Sequence, residues 1–123
     1  MRALVIDDSL TTRKLLRRYL EKLGFEVVEA GDGREGLARL RKGARPDLML
    51  VDWNMPKMGG IEFVQEVRKD HAFDSVPLIM VTTNKGFEQL YLALALGADE
   101  YVTKPFSIDV IREKLQSCGL VPA

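Results

Sequence analysis

The alternation of short apolar runs with segments of helical periodicity constrains the fold of this chain more than any other feature. The apolar runs cover residues 3–6, 25–28, 48–51, 78–81 and 101–102, and large apolar residues recur every three or four positions in the segments that follow them. Strands that alternate regularly with helices predict a parallel sheet covered by helices on both faces. With 123 residues, the chain has the length of one domain built from five such βα units.

The composition of the five runs indicates their order in the sheet. The first, third and fourth runs are continuously apolar, which is typical of strands buried on both faces. Glu26, Glu29 and Glu100 interrupt the second and fifth runs, which predicts edge strands. The sequence therefore favours an α/β fold, a doubly wound (βα)5 parallel sheet of order 2-1-3-4-5 that is flavodoxin-like. Ligands of such sheets bind beyond the carboxyl ends of the strands, at the point between strands one and three.

The overall composition argues against several classes of protein and several cellular locations. The 18 basic and 18 acidic residues balance, which argues against a general nucleic-acid binder. No apolar run approaches the roughly 18 residues of a membrane span. Asp7 and Asp8 interrupt the N-terminal apolar segment after only a few residues, which is not typical of a signal peptide. The single cysteine, Cys118, forms no internal disulfide. We expect a cytoplasmic protein that binds neither nucleic acid nor membranes.

Polar side chains stand where the predicted strands end. Asp7 and Asp8 follow the first strand, Asp52 the third, Thr82 the fourth and Lys104 the fifth. Because the carboxyl ends of parallel strands meet at one rim, three carboxylates would crowd into one crevice, where like charges raise each other's pKa. One divalent cation and the lysine neutralise three carboxylates, and oxygen ligands suit Mg²⁺ (or Mn²⁺).

Such a site suits phosphoryl transfer to a carboxylate. The metal and Lys104 would neutralise the charge of the transferred group, and Thr82 would donate a hydrogen bond to one of its oxygens. Asp52 is the best acceptor, because the pair Asp7 and Asp8 is better placed for metal binding. Each residue alone is an ordinary cap, turn or strand residue, and the prediction depends on their combination.

This combination resembles the response-regulator receiver domain of two-component signalling, of the stand-alone chemotaxis-regulator type. The residues that carry the resemblance are Asp7-Asp8, Asp52 within the segment 51–60, Thr82, and Lys104 within the segment 101–106. The resemblance implies a receiver domain over residues 1–119, a short C-terminal tail over 120–123, and no output domain.

The resemblance also implies roles for the site residues. Asp52 would receive a phosphoryl group from a sensor histidine kinase or a phosphotransfer domain, and the protein would catalyse only its own phosphorylation and dephosphorylation. Asp8, Asp52 and the backbone carbonyl of Asn54 would bind the metal directly, and Asp7 would bind it through water. Asn54 and Asn84 would tune the hydrolysis of the phosphoryl group.

A conformational switch follows from the same resemblance. Thr82 would move towards the phosphoryl group, and Tyr101 would turn into the space that it leaves. The bond between Lys104 and Pro105 resembles the cis peptide of the family.

The fourth helical segment, Phe87–Leu96, is apolar on more than one face. We expect Leu92 and Leu96 to form its buried stripe, and Leu90 and Leu94 to lie outward near Tyr101. Leu90, Leu94 and Tyr101 would then form part of a surface for a downstream protein target or for phosphorylation-dependent self-association. A fully buried helix is the alternative.

Helix one carries Arg13, Lys14, Arg17 and Arg18. We interpret this cluster as a solvated basic face, with a docking surface for the phosphodonor as the alternative.

Three other functions compete with the signalling switch. A Mg²⁺-dependent phosphatase would need an acid two residues after Asp52, where Asn54 stands, and asparagine cannot protonate a leaving group. A degenerate receiver that only binds a partner would not need the complete set of site residues. The G-x-G-x-x-G pattern of residues 31–36 suggests dinucleotide binding, but Asp32 would repel a pyrophosphate.

Overall fold

Within residues 1–83 and 86–122, which the computed structural model describes, five strands alternate with five α-helices as the sequence predicts. A single 3₁₀ turn, His71–Phe73, precedes the fourth strand. The strands are β1 Arg2–Ile6, β2 Glu26–Ala30, β3 Leu48–Asp52, β4 Leu78–Thr82 and β5 Glu100–Thr103, and the helices are α1 Leu10–Lys22, α2 Gly33–Arg41, α3 Gly60–Arg68, α4 Phe87–Leu96 and α5 Ile108–Ser117.

The strands form one parallel sheet of order β2-β1-β3-β4-β5, which confirms the predicted order. The three inner strands are almost entirely buried, whereas the edge strands also contain partly buried or exposed positions. The second strand lies one to two residues later than its apolar run, because its ladder with β1 continues to Ala30.

Two apolar cores flank the sheet, because successive side chains of a strand point to opposite faces. Leu4 and Ile6 pack with Phe63 of α3 on one face, together with side chains from α2 and α4. Ala3 and Val5 pack with side chains from α1 and α5 on the other face. Both faces of the sheet are thus covered, and its carboxyl edge is where the loops converge.

The predicted helix starts are present. The side chains of Ser9, Asp32 and Ser107 accept hydrogen bonds from the backbone N–H groups three residues later. Asp32 therefore serves as the N-cap of α2. A Cβ on Gly36 would overlap the side chain of Ile6. Helix capping and close packing thus account for Asp32 and Gly36 in the G-x-G-x-x-G pattern. At the end of α4, Gly97 adopts a φ of +122°, a conformation that favours glycine.

The end of the chain continues the packing of α5. Leu120 and Val121 lie against the core on the side of α1 and α5, and the N–H of Leu120 donates to the carbonyl of Leu115. None of the helices in the described part of the chain is long and apolar enough to cross a membrane.

Candidate phosphoryl-acceptor site

The register of the sheet brings the predicted site residues to one rim. Ile6 lies opposite Val51, so the residues that follow them, Asp7 and Asp52, come from level positions on neighbouring strands. Thr82, the last residue of β4, lies opposite Thr103, the last residue of β5. Lys104 follows directly after β5, so Thr82 and Lys104 also come to this rim.

Asp7 is fully buried, and its backbone N–H and both of its carboxylate oxygens have hydrogen-bond partners. Its backbone N–H donates to the carbonyl of Ala30 at 3.1 Å, which extends the ladder between β1 and β2 by one bond. Its Oδ1 accepts from the N–H of Ser9 at 2.9 Å, and its Oδ2 accepts from Nζ of Lys104 at 3.2 Å. Both oxygens of this carboxylate are therefore already engaged by protein donors.

Asp52 ends β3 and is only 6% exposed. Its Oδ1 accepts from Nζ of Lys104 at 3.2 Å. Burial and then the nearby charge of Asp7 raise the pKa of Asp52 to about 6, although Lys104 acts in the opposite direction. The first residue of α3 passes close to this position, because a Cβ on Gly60 would overlap the backbone carbonyl of Asp52.

Lys104 bridges the two buried carboxylates. Burial acts to lower its pKa, but the charges of Asp7 and Asp52 outweigh burial and raise the pKa above its ordinary value. Its backbone N–H donates to the carbonyl of Thr82 at 2.8 Å, which anchors the loop after β5 to the end of β4. The peptide bond between Lys104 and Pro105 is cis, as the resemblance implied.

The acidic residues fit a divalent cation of the Mg²⁺ type. One oxygen each from Asp7, Asp8 and Asp52 can be chosen so that all lie within 4.8 Å of one another. Asp8 is exposed and opens the cluster to solvent. When ionised, three carboxylates and one lysine leave an excess of negative charge, and the charge of Asp7 adds to burial in raising the pKa of Asp52. Hard oxygen donors around one point are the ligand set that Mg²⁺ accepts.

The structure assigns most of the remaining predicted residues to particular strands and loops. Thr82 is 1% exposed at the end of β4, and Asn54 is exposed in the loop between β3 and α3. Asn84 lies outside the described residues. Tyr101 is half-buried on β5, and Nζ of Lys114 lies 5.2 Å from the centroid of its ring.

The interpretation of the basic residues of α1 as a solvated face is wrong for two of them. The side chains of Arg13 and Arg17 are 19% and 34% exposed, and both bind the carboxylate of Glu29 on β2. Lys14 and Arg18 are exposed as expected. The sequence offered a signal that the interpretation did not use: two arginines four positions apart on one helix face, and a glutamate, Glu29, next to the last residue of the edge strand β2.

The predicted buried stripe of α4 is wrong at Leu92 but holds at Leu96, which is partly buried. Leu92 is 45% exposed, whereas Ala93 is fully buried and Leu96 packs against the core. The small side chain of Ala93 faces the core, and it allows the helix backbone to approach the strands closely. Leu94 is 43% exposed and Leu90 is half-buried, so α4 is not the fully buried helix of the alternative.

Comparisons with known proteins agree with the geometry. Residues 3–116 match the sequence profile of the response regulator receiver domain. The chain is 41% identical over 117 residues to the chemotaxis protein CheY1 of Helicobacter pylori, with 94% of each chain covered. It is 40% identical over 117 residues to a chemotaxis protein CheY homolog of Campylobacter jejuni, covering 94% of this chain and 90% of the relative.

A solved structure is similar over nearly the whole chain. The structure of the chemotaxis protein CheY4 of Vibrio cholerae superposes with a TM-score of 0.89 at 38% identity, and the match covers 95% of this chain and 97% of that one.

Proposed function

Because the chain belongs to the response regulator receiver domain family, we propose that Asp52 accepts a phosphoryl group in a Mg²⁺-dependent reaction and that this changes which proteins the domain binds. Receiver domains like those of its relatives act in phosphorylation-dependent signalling and are not typical enzymes. One observation carries the proposal: Nζ of Lys104 lies 3.2 Å from an oxygen of Asp7 and of Asp52.

The phosphoryl donor would be a phosphohistidine of a sensor histidine kinase or of a phosphotransfer domain. An ionised oxygen of Asp52 attacks the phosphorus, the P–N bond breaks, and the electron pair of that bond leaves with the imidazole. Lys104 donates to an oxygen of the transferred group, as does the hydroxyl of Thr82. Asp52 must be ionised to attack; in the metal-free site burial and the charge of Asp7 raise its pKa, and a bound divalent cation would favour the ionised carboxylate that the reaction needs.

A bound Mg²⁺ supplies positive charge next to the oxygens of the transferred group. Asp8, Asp52 and the backbone carbonyl of Asn54 would hold it directly. Asp7 would act through water, which fits the engagement of both its oxygens by Ser9 and Lys104.

Intact-mass measurement tests the phosphoryl transfer. The protein is incubated with acetyl phosphate and Mg²⁺, and a single labile phosphoryl adduct is expected. The adduct should be absent with EDTA and in Asp52→Asn. No adduct would favour a domain that only binds partners, and repeated turnover of assorted phosphoesters would favour a phosphatase; either result contradicts the switch.

We further propose that α4 and the neighbouring β5 and α5 form the surface that reports phosphorylation. Four apolar side chains recur on one side of α4 at intervals of three and four positions, and three of them are exposed: Phe87 by 80%, Tyr91 by 66% and Leu94 by 43%. Leu90 completes this stripe. A contiguous exposed apolar patch marks an interaction site, and the partner would be a downstream target or a second copy of the chain.

Two matched substitutions test this surface. Leu94→Glu places a charge on the stripe, and Leu92→Glu places the same charge on another side of α4 at nearly equal exposure, 45% against 43%. Leu94→Glu should weaken binding to partners retained from a lysate in the presence of acetyl phosphate, and Leu90→Glu should do the same. Leu92→Glu should leave binding unchanged, and all three variants should still form the phosphoryl adduct. Equal binding by the Leu94 and Leu92 variants would contradict the assignment.

A further inference from the structure

We propose that Arg13 is a positioning residue for the metal site, which it controls through a hydrogen bond to the backbone carbonyl of Asp7. This inference rests on the proposed function, because it concerns the Mg²⁺ that Asp8 and Asp52 would hold. It assigns a role to a side chain of α1 that the proposed phosphoryl transfer does not use.

The first step is the contact itself. Nη1 of Arg13 donates to the carbonyl oxygen of Asp7 at 2.8 Å. Asp7 is fully buried, so this oxygen has no access to water. Within residues 1–83 and 86–122, Arg13 supplies the hydrogen bond to this oxygen. A buried carbonyl without a donor is unfavourable, so this hydrogen bond holds the Asp7 carbonyl in one direction.

The second step is what this carbonyl controls. A peptide unit is planar, so fixing the direction of the Asp7 carbonyl also fixes the N–H of Asp8 and restricts the directions in which the Asp8 side chain can leave the backbone. The side chain of Asp7 is already bound at both oxygens. Asp8 is the exposed acid of the cluster, so its placement depends most on the backbone that carries it.

The third step is the rigidity of Arg13. Its Nε donates to Oε1 of Glu29 at 3.1 Å, while Nε of Arg17 donates to Oε2 of the same carboxylate at 2.6 Å. Although burial acts to raise the pKa of Glu29, the two guanidinium groups hold that pKa below its ordinary value. Arg13 binds Glu29 through Nε and the Asp7 carbonyl through Nη1 at once, and the rigid, planar guanidinium fixes the angle between these two bonds, which the single ammonium of a lysine does not do.

Two hydrogen bonds of Arg13, one to Glu29 on β2 and one to the Asp7 carbonyl, thus connect β2 to the peptide between Asp7 and Asp8. In metal sites, loss of a group that orients a ligand weakens metal binding about 10–100-fold. We therefore expect loss of Arg13 to weaken Mg²⁺ binding by about tenfold or more.

Arg17 provides a matched control. Arg13→Ala and Arg17→Ala each remove one ion pair with Glu29, but only Arg13→Ala removes the bond to the Asp7 carbonyl. Mg²⁺ is titrated into each protein and followed by the fluorescence of Trp53, the single tryptophan, which adjoins Asp52, and independently by calorimetry. The Kd for Mg²⁺ should rise about tenfold in Arg13→Ala, less in Arg13→Lys, and by less than about twofold in Arg17→Ala.

Equal Kd values for Arg13→Ala and Arg17→Ala, or a wild-type Kd for Arg13→Ala, would overturn the inference. If urea unfolding shows that Arg13→Ala does not fold, Glu29→Ala removes the carboxylate that holds Arg13 and leaves Arg13 in place. A smaller rise in the Kd for Mg²⁺ is then expected, and an unchanged Kd would refute the proposal. A wild-type protein that binds no Mg²⁺ would contradict the proposed function itself, so the two failures are distinguishable.

Discussion

Replacing Asp52 by asparagine should stabilise the metal-free protein, although it removes the proposed phosphoryl acceptor. Asp52 is 6% exposed, and its burial, followed by the charge of Asp7, raises its pKa from 3.8 to about 6. A carboxyl group that binds its proton more tightly in the folded chain than in the unfolded chain destabilises the fold when it is ionised. Asparagine carries no charge, retains an oxygen that accepts from Lys104, and leaves that lysine paired with Asp7.

The size of the effect and its pH window follow from the shift. A rise of this size amounts to about 3 kcal/mol of lost stability once the pH lies above the folded pKa, and we expect a gain of about 1–3 kcal/mol for Asp52→Asn near neutral pH. As the pH falls from about 6 towards 3.8, the folded carboxyl is protonated first and the penalty shrinks. Near pH 4 the advantage of the variant should be less than about 1 kcal/mol.

Urea unfolding in EDTA measures this difference. The free energy of unfolding of wild type and Asp52→Asn is compared at about pH 7.5 and about pH 4. Glu113→Gln on α5 is the control, because Glu113 is exposed, and its effect should stay within about 0.5 kcal/mol. A variant that is no more stable than wild type near neutral pH, or an advantage that does not shrink near pH 4, would refute the reasoning.

Three further predictions concern stability, each measured by urea unfolding. Gly60→Ala should cost about 1–3 kcal/mol, because a Cβ there meets the backbone of Asp52, whereas Gly59→Ala, with 3.6 Å to its nearest neighbour, should be tolerated; equal effects would argue against the overlap. Lys57→Asn should gain about 0.5–1 kcal/mol, because Lys57 has a φ of +64°, a region that asparagine tolerates better; a loss would contradict this. Arg68→Ala should cost about 2–4 kcal/mol, since its guanidinium donates to three carbonyls and one carboxylate; a neutral result would contradict that count.

The strand order and the membership of the site were predictable from the sequence, because both depend on simple periodicity. Continuous apolar runs distinguish inner from edge strands, and parallel strands place the residues after them at one rim. Once β1 and β3 are neighbours, Asp7 and Asp52 must lie close together. The structure adds the bridge through Lys104, which spacing along the chain does not indicate.

The orientation of α4 was not predictable from the same rules. A helix that is apolar on several sides has no polar face to define its buried side, so periodicity cannot choose between Leu92 and Ala93. In the structure the helix packs on the sheet through Ala93, whose small side chain is fully buried, whereas Leu92 is exposed. The larger residues Phe87, Tyr91 and Leu94 are left exposed, and these residues belong to the proposed interaction surface.

The contact between Arg13 and Asp7 was missed for a different reason. Its acceptor is a backbone carbonyl, which every residue carries and which no residue type identifies. Sequence patterns register side-chain chemistry, so they find the carboxylates of a metal site more readily than the groups that orient them.

The position of the phosphoryl group tests the central claim most directly. Protein treated with acetyl phosphate and Mg²⁺ is reduced with borohydride, which converts an aspartyl phosphate to homoserine, and the modified residue is located by peptide sequencing in a mass spectrometer. We expect homoserine at Asp52 alone, and only when Mg²⁺ is present. Homoserine at Asp7 or Asp8, or labelling of Asp52 that persists in EDTA, would contradict the account.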